Sequence, residues 1–416
     1  MKLKLIIVLF LFQLGFSQQK SCGTDAYMQK MMTDPVAKQK HLDLQNRFEI
    51  ELSKLQNQQN KSALNTNTTI IIPVAVHFPS VATNSTDKDC LRQLAQNQID
   101  IINADFNATN TDIALWTPTV RALYPETNVG NLNVKFILAT QNHPAGTGLA
   151  NGQVAVTFGT NFVSGNNDGQ WSKYLNIVVK SAIIALGYSP LGGSPNNGES
   201  IVINYDAFGT GARCAGYVPA GFNSLGRVTT HELGHFFNLF HTFGDDAGLC
   251  NAANTDQVDD TPQCPASGGA RCPVFGSIAG CVAGQKALTM NYMDYTNDEC
   301  RFMFSAGQIT RMRAYLNAIS NEFATNVLSN ENFEFKDFAL YPNPNNGTFS
   351  ISFTPESSEN IEIIVHDISG RNIYNKTFDN SGLFEQELQI NSVSSGIYFI
   401  NIQNGENKTI KRIVLE

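Results

Sequence analysis

Basic residues are scarce in this chain and nowhere clustered. Lysine and arginine number 28 of 416 residues against 36 acidic ones, a formal net charge of -8, which leaves no cationic field for a polyphosphate and excludes nucleic acid as a partner. No apolar run reaches the roughly 18–20 residues that a membrane-spanning helix needs, so no stable span is expected. The run Leu5 to Phe12 is shorter, follows Lys2 and Lys4, and precedes Gly15-Phe16-Ser17; that pattern predicts a signal peptide over residues 1–17. An exported chain meets oxidising conditions, in which the eight cysteines (22, 90, 214, 250, 264, 272, 281 and 300) can pair. Five of them fall between positions 250 and 300, so a stapled, loop-rich stretch is expected there.

Length and a hydrophobic content of 42% allow two or three domains with real cores. Residues 18 to about 65 are rich in Gln, Asn and Lys, with one amphipathic stretch (Leu42, Leu44, Phe48, Leu52, Leu55) that predicts a helix but no domain; this is a pro-segment, placed at 18–61. Strand patterns follow at Ile70 to Phe78, Leu132 to Ala139, Tyr174 to Val179 and Ser200 to Tyr205, and a helical pattern (Leu91, Leu94, Ile99, Ile102, Phe106) lies between the first two. The alternation predicts a sheet covered by helices. Tyr188 to Gly198 and Gly244 to Gly284 are Gly-, Asn-, Ser- and Pro-rich loops. Beyond Tyr341-Pro342-Asn343-Pro344, short alternating runs from Thr348 to Leu415 predict a small β-sandwich. The boundaries expected are therefore 62–330 for a central domain and 331–416 for the terminal one.

Histidine is rare as well, seven in all, yet three lie between positions 231 and 241. In His231-Glu232-Leu233-Gly234-His235 two imidazoles four residues apart stand about 40° apart on a helix and one turn along, which lets them share an ion. His241, six residues further, would on a continuous helix lie about 240° around and about 9 Å on. The helix must therefore stop, and Asn238 is the residue suited to stopping it, because Asn readily adopts the left-handed conformation. Three neutral nitrogens leave zinc a fourth position for water and bring that water's pKa toward about 7, with Glu232 placed to take its proton. A decayed or structural zinc site on a secreted adhesin is the rival reading; a zinc exopeptidase is another.

The run His231 to His241, followed by Thr242-Phe243-Gly244, resembles the zinc signature of the pappalysin family of metzincin metalloendopeptidases, with Asn238 where that family usually has Gly. The resemblance implies an α+β metzincin catalytic domain, a twisted mixed sheet plus an active-site helix, that hydrolyses internal bonds of protein or peptide substrates. It implies that Asn291-Tyr292-Met293-Asp294-Tyr295 is the Met-turn, with Met293 beneath the zinc ligands and Tyr295 assisting the transition state. It further implies a calcium loop at Asp256, Asp259 and Thr261, disulfides Cys250–Cys281 and Cys272–Cys300, and a pro-segment cysteine switch at Cys22 in which the thiolate takes the water position on zinc. A lipidated Cys22 is the alternative. Glu299, with Asp298 beside it, implies a preference for Arg or Lys after the cleaved bond, which fits self-cleavage at Asn60-Lys61. The last 80 or so residues resemble the sorting domain of the type IX secretion system of Gram-negative bacteria through Tyr341-Pro342-Asn343-Pro344, Gly347, Ser369-Gly370-Arg371, Ser395-Gly396-Ile397-Tyr398, Lys411 and Arg412. This implies secretion machinery as a partner and an extracellular or cell-surface location; a carbohydrate-binding or adhesive sandwich is the rival.

Overall fold

The computed structural model describes residues 22–59, 69–82, 85–159, 162, 167–181, 183, 185–211, 214, 217, 221–244, 250, 255–265, 272–328, 335–355, 357–367, 371–380, 382–390, 394–405 and 407–416. The predicted signal peptide, the Asn60-Lys61 bond and Ser369-Gly370 lie outside them. The chain divides into two units, Met1–Leu328 and Ser329–Glu416.

The first unit opens with two helices, α1 (Thr24–Met31) and α2 (Pro35–Gln59). One helix was expected here. The second is α1, eight residues whose sole fully buried member is Thr24, so no apolar period announces it. Then come β1 (Ile70–Phe78), α3 (Lys88–Phe106), the single-turn α4 (Pro118–Arg121), β2 (Val134–Leu138), β3 (Val156–Phe158), β4 (Leu175–Lys180), β5 (Gly187–Tyr188) and β6 (Ser200–Asn204), followed by α5 (Arg227–Phe236) and α6 (Ala306–Ile319). β1 lies inside the sheet, whose order is β2-β1-β4-β6-β5 with β3 also paired to β1. All pairings are parallel except β5 on β6, which makes the sheet mixed. β6 is buried along its whole length, as expected of a parallel strand covered on both faces. The two-residue β5 was not foreseen, because Gly187 and Tyr188, the latter opening a stretch read as loop, are too few to show a period.

α3 presents Leu91, Leu94, Ala95, Ile99, Ile102 and Phe106 inward at helical spacing. Phe106 meets Phe136 of β2, Phe237 just beyond α5 and Phe304 just before α6, with ring centroids 5.4, 5.8 and 4.9 Å away. This aromatic cluster joins the sheet and α3 to the end of α5 and the start of α6.

The second unit is a sandwich of two antiparallel sheets, β10 (Asn372–Phe378)-β9 (Ile361–Asp367)-β12 (Gly396–Asn404)-β13 (Asn407–Leu415) and β11 (Phe384–Gln389)-β8 (Thr348–Thr354)-β7 (Lys336–Tyr341). Alternate residues Phe349, Ile351 and Phe353 of β8 and Ile361, Ile363 and Val365 of β9 are buried in one core. β7 was not foreseen: Lys336 to Tyr341 is at most half-buried throughout, and its register on β8 shifts between Lys336 and Ala339. Gly347, at φ 99°, is required where it stands, since a Cβ there would lie 2.7 Å from the Ile390 carbonyl oxygen.

Phe106→Ala empties the centre of the aromatic cluster and is expected to destabilise the first unit by about 3–5 kcal/mol. Both tryptophans, Trp116 and Trp171, lie in that unit, so tryptophan fluorescence during urea unfolding measures it; an unchanged midpoint would count against this account of the core.

Candidate active site

α5 is the scaffold, and all ten of its residues are buried. Its polar groups are met by charges from other segments. Asp105 of α3 accepts hydrogen bonds from Thr230 Oγ1 and Tyr292 OH, both at 2.7 Å, and burial pushes its pKa up to about 6 against the pull of Arg227. Arg227 pairs with Asp112 at 2.5 Å and donates to the Asp298 carbonyl oxygen. The first turn of α5 begins after Gly226, at φ 75°, and the Asp298 carboxylate accepts from Leu225 N and Arg227 N.

α5 ends at Phe236, and Asn238 turns left-handed at φ 72°. Its N–H bonds to the His235 carbonyl and the Leu239 N–H to the Gly234 carbonyl, while Arg311 Nε of α6 donates to Asn238 O at 2.7 Å. The chain then reverses, and His235 Nε2 and His241 Nε2 come within 3.1 Å. His231 Nδ1 lies 2.7 Å from Tyr292 O, and His235 Nδ1 lies 2.7 Å from Leu239 O. A carbonyl only accepts, so both rings carry their proton on Nδ1 and turn an Nε2 lone pair inward. His231 Nε2 is buried without a protein partner among the described residues.

These lone pairs repel one another unless a cation lies between them, and the ligand atoms of Cys22, His231, His235 and His241 all fall within 4.8 Å of one another. Burial holds His235 down to about pKa 4 and His231 and His241 well below the usual imidazole range, the neutral form a metal ligand requires. Three imidazoles and a thiol fit zinc by donor type and number.

Glu232 lies beside the cluster. Burial pushes its pKa up to about 8. Its Oε2 accepts from Thr24 Oγ1 at 3.2 Å and from Cys22 Sγ at 3.5 Å, and its Oε1 is buried with no protein partner among the described residues. The edge strand β5 passes directly over it: a Cβ on Gly187 would lie 2.8 Å from Glu232 Cγ, so only glycine lets the strand approach so closely. The segment before α1 lies along β5, with Gly23 N donating to Gly187 O at 2.8 Å and Ser189 N to Thr24 Oγ1 at 3.1 Å. Thr24 is a contributor that sequence reasoning missed; its proximity to Cys22 was the available signal.

Met293 is fully buried beneath α5, and a Cβ on Gly234 would sit 2.4 Å from its sulfur, so Gly234 is what allows the turn to pack there. Tyr295 is half-buried, its ring centroid 4.8 Å from that of His241 and 5.9 Å from that of His231. Disulfides join Cys250 to Cys281, Cys272 to Cys300 and Cys90 to Cys214. Cys264 is a buried thiol donating to the Thr242 carbonyl oxygen.

One expectation requires correction. Asp298 is not a pocket carboxylate: it is fully buried, and besides the two amides it accepts from Arg301 Nη2 at 2.6 Å, so its charge is spent clamping the start of α5. Glu299 is exposed. Of the predicted calcium ligands, Asp256 and Thr261 come together. Asp256 accepts from Thr261 Oγ1 and Val258 N, and neither it nor Asp259 belongs to a group of ligand atoms close enough to share an ion among the described residues. The neighbouring Asp260 is engaged with Ser305 Oγ and Gly307 N at the head of α6.

The family model described as pregnancy-associated plasma protein-A matches residues 169–317, and that of the secretion system C-terminal sorting domain matches residues 339–416. An extracellular metalloprotease of Verticillium alfalfae is 29% identical over 260 residues, 61% of this chain and 80% of its own length. One from Sordaria macrospora is 45% identical over 95 residues, 23% of this chain; the match spans 31% of that protein, so the chain covers under a third of some of these relatives. Among solved structures, Tannerella forsythia promirolysin is 29% identical with a TM-score of 0.54, covering 73% of this chain and 96% of that one. Mature mirolysin in complex with a cleaved peptide is 31% identical over 62% of this chain and 96% of that one, with a TM-score of 0.49. With the metzincin architecture and the convergent histidines in place, the chain belongs to the pregnancy-associated plasma protein-A peptidase family, the pappalysins, and ends in a secretion-system sorting domain.

Proposed function

We propose that this chain is an exported zinc-dependent endopeptidase made as a zymogen. The observation that carries the proposal is the convergence of His231, His235 and His241 on one point, with Cys22 and Glu232 beside it. His231, His235 and His241 would hold zinc, which would supply a Lewis acid toward the scissile carbonyl. Glu232 takes the proton of the attacking water on a carboxylate oxygen and passes it to the leaving nitrogen. Tyr295, next to His241, donates its phenolic hydrogen toward the carbonyl oxygen as negative charge develops. Met293 supports α5 from below. β5 offers its edge to an extended peptide, the edge that Cys22 and Gly23 occupy in the latent form.

Cys22 serves as the switch: its sulfur is close enough to share the ion and so fills the place that water needs. A lipid anchor on Cys22 does not account for that placement. The terminal sandwich serves as an address for secretion machinery, which places the enzyme outside a Gram-negative cell. Preference for Arg or Lys after the cleaved bond falls to Glu299, since Asp298 is engaged elsewhere. Calcium does not enter the proposal, because Asp256 is satisfied within its own loop. A secreted adhesin with a structural ion leaves Glu232 unexplained: a buried carboxylate with one oxygen unpartnered has no role in a purely structural site.

Glu232→Ala is expected to lower kcat/KM of the mature form on a protein substrate by about a hundredfold or more while leaving bound zinc, by elemental analysis, at one per chain. Undiminished proteolysis would remove Glu232 from the chemistry. His241→Ala is expected to abolish stoichiometric zinc in the same assay, and full zinc retention would show that the third imidazole is not a ligand. In a proteome-derived peptide digest, Glu299→Gln is expected to reduce the share of Arg and Lys after the cut by about tenfold; an unchanged profile would sever Glu299 from specificity.

A further inference from the structure

The pro-segment holds the catalytic unit at two places, and the second is centred on α6 and the bend after α5, not on Glu232. α1 and the residues before it meet Glu232 and β5. α2 lies along α6. Phe48 is fully buried there, its ring 6.1 Å from that of Tyr315 and 4.7 Å below the Arg311 guanidinium, which has Phe240 on another side at 5.2 Å. Arg47 donates to Ala318 O and pairs at 2.5 Å with Glu322. Glu322 is 5% exposed and, among the described residues, Arg47 is its ion-pair partner. Gln45 and Asn238 exchange two amide hydrogen bonds of 3.1 and 3.0 Å.

That amide pair is closely fitted. Gly192, at φ 71°, lies against it, and a Cβ there would fall 2.9 Å from Gln45 Nε2 and 3.1 Å from Asn238 Oδ1. A buried carboxylate, a buried guanidinium and the side chain of the bend residue thus each find a partner on α2.

We propose that the face formed by Asn238, Phe240, Arg311, Tyr315 and Glu322 is a docking surface separate from the contacts that α1 makes with Glu232 and β5, and that residues 22–59 stay bound to it as a dissociable inhibitory subunit after the chain is cut beyond α2. Severing the connection between α2 and β1 breaks none of these contacts. The cut fragment remains tethered through Gln45, Arg47 and Phe48, and α1 keeps Thr24 and Cys22 at Glu232 with a high effective concentration. Release then needs a second event, separation of α2 from α6, and latency outlasts the first cut. This rests on the zymogen reading above, but its test reads binding and not proteolysis.

Full-length protein carrying Glu232→Gln, which keeps an acceptor for Thr24, would have residues 60–68 replaced by the recognition sequence of an added site-specific protease. After cutting, gel filtration at about 1 μM shows whether the amino-terminal fragment travels with the rest. The expected result is co-elution at one fragment per chain, with release at least about tenfold faster once Gln45→Ala and Arg47→Ala remove three hydrogen bonds and the ion pair. Phe48→Ala, made separately, is expected to release the fragment as well. A fragment that elutes apart from unsubstituted, cut protein overturns the proposal. So does one that stays equally well with Gln45, Arg47 and Phe48 all replaced, since α1 would then suffice. Because the added protease makes the cut, either result stands whether or not the chain itself proves to be a peptidase.

Discussion

The left-handed turn at Asn238 is the constraint on which the site depends. Two histidines on α5 come together by helical repeat alone, but the third arrives only because the helix stops at Phe236 and the chain reverses at Asn238. A non-glycine residue in this conformation costs on the order of 1 kcal/mol. The cost is offset locally: Asn238 N bonds to His235 O, Asn238 O accepts from Arg311, and the Leu239 carbonyl that the turn presents fixes the His235 tautomer. The turn therefore sets both the direction of the chain and the protonation pattern of a ligand.

A helix buried on every side needs partners for its polar groups, and here they come from distant segments. Asp105 from α3, Asp112, and Asp298 beside the Met-turn surround Arg227 and the first turn of α5. Isolated, any one of these charges would carry a large desolvation penalty; together they satisfy one another's hydrogen bonds. Arg301 extends the set, joining Asp298 to the Tyr292 and Asp294 carbonyls. Tyr292 O also receives the His231 proton, so the network reaches a ligand through a single backbone oxygen.

The parts of this design that could be read from sequence are those with short-range signatures. The helix over His231 to His235, the alternating strands of the terminal sandwich and the continuous apolar strands β1 and β6 each declare themselves within a few residues. What could not be read depends on separation in sequence. Asp105 looks like an ordinary surface acid until α3 closes on α5. Thr24 and Gln45 sit in a polar segment whose composition says little, and their partners are about two hundred positions away. Asp298 was misread as a pocket acid for the same reason: the amides of Leu225 and Arg227 that consume its charge leave no local trace. β5 and β7 escaped because two residues, or six half-exposed ones, show no period.

Latency and chemistry, on the proposed reading, compete for the same carboxylate oxygen. Glu232 Oε2 accepts from Thr24 and Cys22 in the latent form, and in the mature form that lone pair is needed for the proton of water. The carboxylate is thus given donors while the enzyme is silent, and loses them only when α1 withdraws from β5. Burial favours the neutral acid, while donors from α1 favour the charged form, so the pro-segment helps stabilise the charge of the group it restrains. Removing α1 without admitting water would strand that charge. On that reading, opening the cleft and hydrating Glu232 are one event, set against the edge of β5 that the glycine at 187 lets approach the carboxylate.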